Sequence, residues 1–342
     1  MADFDHGATD SGPDPIADFS SCSHPFGPCP VVLETVRNVD PTHYPDPAYH
    51  GLRKHLGEFH AVDPDRIVPG AGVSEIILRM VGAVAGDVLA WSPSFVEYRR
   101  ASHVHRRRFL HASDPETWLA RVPRSGIAFL CQPNNPDGKV HHQEFLDAAA
   151  QVCKARECRL VLDLAYADFC PVHPGLAKGS DLLFAPNKKF GMTGIRAGFA
   201  VCADAEFAAN LVARAPSWVV GAHGVAFLHA STEMEALLWF EGTRAQLRSS
   251  ANNLGSMLGE HGWNPRPSET HYFVAQPCRI SMLSDPAEHS ANWTLRLRRE
   301  GVRVRDLSNT GMPGWLRLAA RPEVELAHLE SVIARLKKSD SV

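Results

Sequence analysis

Short apolar runs alternate with amphipathic helical patterns through the middle of the chain, and this alternation limits the possible folds. Runs of four or five mostly apolar residues, typical of buried strands, lie at 66–69, 88–91, 127–131, 160–164, 182–185 and 198–202. Helical spacing of apolar residues lies between several of them, as at 74–84 and 143–156. Strands separated by helices form βαβ units, so we predict an α/β fold with a mostly parallel sheet flanked by helices.

The alternation of predicted strands and helices ends near residue 223, which predicts a second domain. A helix-rich stretch is followed by three β-like runs and a last helix, at 224–260, 271–275, 302–306, 316–319 and 323–337. We therefore predict a large domain at 41–222 and a smaller α+β domain built from 18–40 and 223–342. Residues 1–17 begin with many Gly, Asp, Ser and Pro residues and are expected to form a flexible N-terminal tail.

Charge and cysteine usage exclude several classes of protein. The chain has 35 Lys and Arg against 38 Asp and Glu, whereas nucleic-acid-binding proteins usually carry a positive excess. Eight cysteines without CxxC spacing indicate reduced thiols and no metal site. The acidic N-terminus does not look like a signal peptide, and no run approaches the roughly 18 apolar residues of a membrane span. We therefore expect a cytoplasmic protein that binds neither nucleic acid nor membrane.

The segment APNKKFGMTGIR at 185–196 is the most informative for chemistry. Lys188, Lys189 and Arg196 follow an apolar run, with two glycines between them. A lysine at this place can form a Schiff base with a carbonyl cofactor if it is deprotonated, and burial or a nearby guanidinium would lower its pKa. For this segment alone, a surface turn with two solvated lysines is an equally good interpretation.

Three further segments have possible chemical roles. Asp163 ends an apolar run, where open α/β sheets bind ligands, and a carboxylate there can hold a ring nitrogen protonated; a helix-capping role is the alternative. The segment CQPNNPDG at 131–138 leads a strand into a turn, and a plain loop would explain it equally. The turn PGAGVSE at 69–75 opens an amphipathic helix whose N–H groups suit a phosphate, although it lacks the last glycine of the dinucleotide fingerprint.

Together, the order and spacing of these segments resemble fold-type I pyridoxal-phosphate enzymes, the aspartate aminotransferase superfamily. Within it, the chain is most similar to the histidinol-phosphate aminotransferase and threonine-phosphate decarboxylase branch. The resemblance covers about residues 18–335 and includes FSSCSHPFGPCP at 19–30 and HYPDP at 43–47, which look like that branch's NxNPxGP and YPDP segments. It implies a seven-stranded type of sheet, a smaller α+β domain, bound pyridoxal 5'-phosphate and a homodimer.

The resemblance also implies which residues hold the cofactor. Lys188, eight residues before Arg196, would bond to it covalently, with Lys189 as the alternative in register. Asp163 would pair with the pyridine nitrogen, and Tyr166 would hydrogen-bond the phenolic oxygen, so Lys188, Asp163 and Tyr166 are the expected catalytic residues. The other expected cofactor contacts are Ala71, Gly72, Val73, Ser74, Asn187 and Arg196 at the phosphate, Phe95 on the ring, Asn135 at the phenolic oxygen and Tyr44 from the neighbouring subunit.

On the substrate side, the resemblance assigns a carboxylate site. Arg317, in WLRLAA at 315–320, matches the position that clamps an α-carboxylate, where a guanidinium offers a two-pronged geometry. Asn135 would also touch this carboxylate. His24 borders the inferred cleft, and Trp218 lies at the expected interdomain segment. Both are candidate substrate contacts, with packing inside the protein as the alternative for each.

Several positions depart from the pattern of the family. Ala185 stands where many relatives have Ser or Thr, and Asn187 replaces the usual Ser before the lysine. Ala71 replaces an Asn, Val73 replaces a small hydroxyl residue, and His24 replaces the second Asn of the N-terminal motif. Each change loses or alters a hydrogen bond, which favours a substrate other than histidinol phosphate.

These observations favour a pyridoxal-phosphate-dependent aminotransferase acting on an L-amino acid or related amine and a 2-oxo acid, through a Lys188 Schiff base. The same cofactor supports other reactions, so a decarboxylase, lyase or cyclase in a specialised biosynthetic pathway is the main alternative. A non-catalytic ligand sensor is disfavoured because only about 17 polar residues precede the predicted fold. A nicotinamide-dependent dehydrogenase is disfavoured by the incomplete glycine fingerprint.

Overall fold

The computed structural model describes residues 12–279 and 285–339. Its strands are β1 (Ala17–Asp18), β2 (Ile67–Gly70), β3 (Val88–Trp91), β4 (Phe109–Ala112), β5 (Ile127–Cys131), β6 (Arg159–Asp163), β7 (Asp181–Phe184), β8 (Gly198–Val201), β9 (Asn264–Pro265), β10 (Tyr272–Gln276), β11 (Val302–Arg303), β12 (Arg305–Asp306) and β13 (Leu316–Ala319). Its α-helices are α1 (Pro30–Arg37), α2 (His50–His60), α3 (Val73–Ala83), α4 (Val96–Val104), α5 (Pro115–Arg121), α6 (Gln143–Ala155), α7 (Pro186–Lys189), α8 (Ala205–Ala213), α9 (Ala222–Ala230), α10 (Met234–Glu260), α11 (Pro286–Arg299) and α12 (Glu323–Ser339).

The larger sheet has seven strands in the order β2-β8-β7-β6-β5-β3-β4. Every pairing in it is parallel except those of β8, which runs antiparallel to both β2 and β7. The α/β fold with a mostly parallel, seven-stranded sheet flanked by helices is therefore confirmed. The edge strand β4 was not predicted, because its four residues are mostly part-exposed and form no continuous apolar run.

The central strand β5 illustrates why the apolar runs become buried strands. Ile127 and Phe129 pack into a cluster on one face of the sheet, whereas Ala128 and Leu130 pack into a cluster on the other. Successive side chains of a strand point to opposite faces, so a strand covered by helices on both sides must be apolar at every position. All five residues of β5 are buried accordingly.

The C-terminal part of the chain forms a second, antiparallel sheet in the order β12-β13-β10-β9. The single β run predicted at 302–306 is wrong in detail, because the structure divides it between two sheets. Val302 and Arg303 pair in parallel with Ala17 and Asp18, whereas Arg305 and Asp306 pair with β13. The chain thus changes pairing partner at Val304, which is buried in a core cluster with residues of α10, α11 and α12.

The predicted boundary near residue 223 between the large and the smaller domain stays a prediction. Residues 1–11 of the predicted tail lie outside the described part of the chain, while Ala17 is buried in β1. Within 12–279 and 285–339, the structure contains no helix with the length and apolar character needed to cross a membrane.

Candidate active site

A cavity lies where several strands of the larger sheet reach their carboxyl ends. Loops after β2, β3, β5, β6 and β7 converge here, which is the usual place for a ligand in an open α/β sheet. The cavity is lined by Val73, Ser74, Phe95, Cys131, Asn135, Asp163, Ala165, Tyr166, Ala185, Asn187, Lys188 and Arg196. Most residues predicted to hold the cofactor therefore come together in one place.

Lys188 reaches this cavity from the short helix α7, which begins at Pro186 directly after β7. Burial lowers the pKa of Lys188 to about 8, and the positive charges of Arg196 and Arg317 act in the same direction. Lys189 does not line the cavity: its Nζ lies 3.1 Å from Asp168 Oδ1, in an ion pair. The geometry therefore favours Lys188 over Lys189 as the reactive amine.

Asp163 ends β6 at the floor of the cavity and is 2% exposed. Its Oδ2 accepts a hydrogen bond from the Tyr98 hydroxyl (2.8 Å), and its Oδ1 accepts one from the Ala165 N–H (3.1 Å). Burial raises the pKa of Asp163, while these hydrogen bonds and the charge of Lys188 oppose the rise. Sequence reasoning missed Tyr98, although its place one helical turn after Phe95 was an available signal.

The opposite end of the cavity is suited to an anion. Gly72 has a φ of 89°, and a Cβ added there would lie 2.7 Å from Arg196 Nη2, so a side chain would fill the space beside the guanidinium. The N–H groups of the first turn of α3, at Val73 and Ser74, have no acceptor within the helix. Ala71 is not part of this arrangement, because its N–H donates to Glu75 Oε2 (3.2 Å).

Asn187 lies beside this anion-binding end. Its Nδ2 donates to the carbonyl oxygen of Ile195 (3.1 Å), which ties α7 to the loop that carries Arg196. Its Oδ1 is buried and has no hydrogen-bond partner in the described part of the chain. A buried amide oxygen without a donor is destabilising, so this atom is available to a ligand or to water.

Arg317 approaches from β13 in the second sheet. Its Nη1 donates to Asn135 Oδ1 (2.6 Å), and its Nη2 donates to the carbonyl oxygen of Ser20 (2.7 Å). Its buried Nε has no partner among the described residues. The guanidinium is thus fixed in orientation and still has a donor available for an oxygen anion.

The segment from Phe19 to His24 lies beside the site without lining the cavity. The Phe19 carbonyl oxygen accepts from the Ala319 N–H (2.9 Å), and the His24 N–H donates to the carbonyl oxygen of Lys188 (2.9 Å). Between these bonds, the Cys22 carbonyl oxygen lies 3.1 Å from His271 Nε2. The segment therefore contacts both the strand with Arg317 and the helix with Lys188.

Besides Ala71, Gly72 and Arg317, three more predicted residues do not line the cavity: His24, Tyr44 and Trp218. His24 is 3% exposed, and its Nδ1 accepts from the Phe26 N–H (3.2 Å), so its Nε2 donates to Thr243 Oγ1 (3.0 Å). Burial lowers the pKa of His24 to about 4, which keeps the ring neutral. Tyr44 and Trp218 are 78% and 41% exposed and stack with ring centroids 4.4 Å apart.

The groups in the cavity fit pyridoxal 5'-phosphate. A lysine with a lowered pKa suits the aldehyde, a buried carboxylate suits the ring nitrogen, and Phe95 suits the ring face. The orphaned Asn187 Oδ1, the first turn of α3 and Arg196 are grouped at the end that suits the phosphate. Among the described residues, the structure groups no three His, Cys, Asp or Glu side chains in a way that could hold a metal ion.

Comparison with known proteins agrees with this geometry. The model of the aminotransferase class I and II family matches residues 16–336. The chain belongs to this family. The match confirms the predicted superfamily and enzyme class, namely a pyridoxal-phosphate-dependent aminotransferase, and its cofactor.

Individual relatives are similar over nearly the whole chain. A threonine-phosphate decarboxylase of Salmonella typhimurium is 29% identical, over 96% of this chain and 94% of that protein. A histidinol-phosphate aminotransferase of Cereibacter sphaeroides is 28% identical, over 93% and 90% of the two chains. The crystal structure of histidinol-phosphate aminotransferase from Sinorhizobium meliloti, in complex with pyridoxal-5'-phosphate, superposes with a TM-score of 0.83 at 22% identity, covering 94% of this chain and 92% of that one.

Proposed function

We propose that this aminotransferase moves the amino group of an L-amino acid, or of a related amine with a carboxylate, to a 2-oxo acid at the cavity around Lys188. The proposal is supported mainly by the proximity of three groups that would have separate roles, namely Lys188, Asp163 and Arg317. Lys188 and Asp163 line one cavity, and Asn135 in the same lining is hydrogen-bonded to Arg317. An amine, a charge partner for a ring nitrogen and a carboxylate clamp are therefore combined in one site.

The cofactor would be held at three points. When bound, pyridoxal phosphate supplies an electron sink for the negative charge that develops at the substrate Cα. Asp163 would hold the proton of the ring nitrogen, and the Tyr166 hydroxyl would donate to the phenolic oxygen. Arg196, Ser74 and the first turn of α3 would neutralise the phosphate.

Lys188 would carry the proton transfer. With its pKa near 8, roughly a tenth to a fifth of the Lys188 amine is neutral near pH 7. This neutral form could accept the Cα proton of a substrate at Nζ and then donate it to the former aldehyde carbon of the cofactor. A lysine with an ordinary pKa near 10.5 would be almost entirely charged and could not accept a proton. The cavity thus prepares Lys188 for both halves of the reaction.

Arg317 would orient the substrate through its carboxylate. Two of its three nitrogens are fixed by Asn135 and Ser20, and its Nε is without a partner in the described structure. Because the guanidinium is already held in place, little side-chain entropy is lost when a carboxylate binds. A substrate bound there would have its amino group toward Lys188.

The test is to add a panel of L-amino acids to the purified protein loaded with cofactor. We expect at least one of them to change the visible absorption and to leave pyridoxamine phosphate, with release of the matching 2-oxo acid. The Lys188→Ala variant serves as the control and should produce neither. If no amino acid yields the amine form of the cofactor, the proposed transamination is wrong.

Decarboxylation is the second candidate, and one observation favours it. The decarboxylase of Salmonella typhimurium is similar to this chain over almost its full length, at an identity close to that of the aminotransferase relatives. The bond that breaks depends on its alignment relative to the cofactor ring, so the same residues can support either reaction. Release of carbon dioxide from a carboxyl-labelled amino acid, without pyridoxamine phosphate, would establish this alternative.

We also propose that the protein acts as a homodimer in the cytoplasm. The stacked pair of Tyr44 and Trp218 exposes a large aromatic surface, which suits contact with a second copy of the chain. The eight cysteines are free thiols, and seven of them are buried, as expected in a reducing compartment. Sedimentation and cell fractionation test the two parts of this proposal.

A further inference from the structure

Tyr98 lies behind the cavity and is almost completely buried, at 1% exposed. It belongs to α4 and does not line the cavity itself. Its ring stacks on Phe129, with centroids 4.6 Å apart and planes 8° from parallel, and meets the edge of Phe95 at 5.8 Å. These contacts hold the hydroxyl 2.8 Å from Asp163 Oδ2.

Asp163 needs such a partner, because burial favours the neutral form of its carboxyl group. A carboxylate in a dry site keeps its charge only when hydrogen bonds or opposite charges replace the lost water. Tyr98 and the Ala165 N–H each donate to a different oxygen of this carboxylate, and Lys188 adds a positive charge nearby. Burial also raises the pKa of Tyr98 well above 10, so its hydroxyl keeps its proton and remains a donor.

We propose that Tyr98 is a positioning residue, whose hydroxyl keeps Asp163 charged and fixes the rotation of its carboxylate beside the ring nitrogen of the cofactor. The inference rests on the proposed function in one respect, because it takes Asp163 as the partner of that nitrogen. Tyr98 does not line the cavity, so the proposed effect on the cofactor passes through Asp163, whose carboxylate accepts the Tyr98 hydrogen bond.

The test compares two ligands of the full-length protein freed of cofactor. One is pyridoxal phosphate, and the other is its analogue in which a C–H group replaces the ring nitrogen. Both carry the aldehyde and the phosphate, but only the first has an atom for Asp163 to pair with. In Tyr98→Phe we expect the Kd for pyridoxal phosphate to rise about tenfold, the scale of a hydrogen bond to a charged group, and the Kd for the analogue to stay within about twofold.

Tyr49→Phe is the matched control. Tyr49 is also buried, at 7% exposed, and its hydroxyl bonds the backbone of Val220 outside the cavity. This variant should leave both Kd values unchanged. An equal loss of affinity for both ligands in Tyr98→Phe would overturn the inference, because it would mean that Tyr98 only packs behind the site; unchanged affinity for both would overturn it as well.

Asp163→Asn separates this inference from the proposed function. We expect Asp163→Asn to lose the preference for pyridoxal phosphate over the analogue, and Tyr98→Phe to have no further effect in that background. If Asp163→Asn keeps the preference, the assigned role of Asp163 is wrong. If Asp163→Asn loses the preference and Tyr98→Phe keeps it, Asp163 is the partner of the ring nitrogen and the role of Tyr98 is wrong.

Discussion

Arg317 Nη1 and Asn135 Oδ1 form a 2.6 Å hydrogen bond that joins the two largest sheets at the active site. Arg317 lies on β13 of the four-stranded sheet, and Asn135 follows β5 of the seven-stranded sheet. Both residues are buried, at 9% and 8% exposed. The proposed carboxylate site is therefore assembled only when the two sheets are in their native arrangement.

Replacing Arg317 by Lys should weaken substrate binding strongly. A lysine carries its donors on a single nitrogen, so it cannot reach Asn135, Ser20 and a carboxylate from the three separate positions that the guanidinium offers. We expect kcat/KM for amino acids to fall about 100-fold, mainly through KM, in steady-state kinetics. An Arg53→Lys control, at a residue that bonds Pro64 and Asp65 instead, should behave like the native enzyme. An equally large loss with an amine substrate that has no carboxylate would contradict the assignment.

Lys188 should be the lysine that bonds the cofactor. Reduction of the loaded protein with borohydride, followed by digestion and mass spectrometry, should place the label on Lys188. Lys188→Ala should abolish labelling, while Lys189→Ala should keep it, because Lys189 is engaged with Asp168. Label on Lys189 in the native protein would show that Lys189, and not Lys188, bonds the cofactor.

The pH dependence of covalent capture follows from the pKa of Lys188, near 8. Only the neutral amine attacks an aldehyde, so the rate should rise with pH and level off above the pKa. At pH 7 the neutral fraction is about one tenth, so the rate should be about tenfold below its plateau. Stopped-flow absorbance with pyridoxal avoids titration of the cofactor phosphate. A rate that still increases steeply above pH 9 would mean that the lysine is not perturbed.

Asp163→Asn should keep the cofactor but lose most of the turnover. The amide preserves the shape of the side chain but cannot stabilise a positive charge on the ring nitrogen. We expect kcat to fall about 100-fold or more, by analogy with the loss of other preorganised charge partners, with the visible spectrum used to check cofactor content. Near-native turnover would assign Asp163 a structural role only.

Tyr44 should contribute to the active site of the neighbouring subunit. Tyr44→Phe should weaken cofactor retention by roughly 1 kcal/mol, the scale of one net hydrogen bond, as measured by dialysis. Mixing inactive Lys188→Ala with Tyr44→Ala should give heterodimers with one site carrying both changes and one carrying neither. Random mixing then restores about a quarter of the native activity. Subunits that exchange without any recovery would exclude the shared site.

The sequence indicated most of the larger sheet because its strands are buried on both faces. Such strands are apolar throughout, as in Val88–Trp91 and Ile127–Cys131, and both were predicted with their correct bounds. The edge strand Phe109–Ala112 was missed because partial exposure permits polar residues there. The run at 302–306 shows a second limit, since its division between two sheets depends on partners that lie far away in the chain.

Residues of the candidate site were predictable where the neighbouring sequence alone indicates their role. Lys188 and Arg196 have a fixed spacing, and Asp163 ends an apolar run, so each is recognisable locally. For Tyr98, the only local signal was its place one helical turn after Phe95, and its hydrogen bond to Asp163 could not be predicted because the two residues are 65 positions apart. The direction of the His24 ring could not be predicted either. The N-terminal motif placed the backbone of His24 near the site, but contacts with Trp239 and Thr243 orient its ring.

The segment from Phe19 to His24 is a short piece of chain that connects the second sheet to the helix with Lys188. It is bonded at one end to Ala319 and Arg317 and at the other to the backbone of Lys188. A shortened form of the chain starting after residue 24 would therefore keep every side chain that lines the cavity and still lose the alignment of that cavity with Arg317. Such a form would be expected to remain folded in the larger sheet and to bind the cofactor, yet to fail in chemistry.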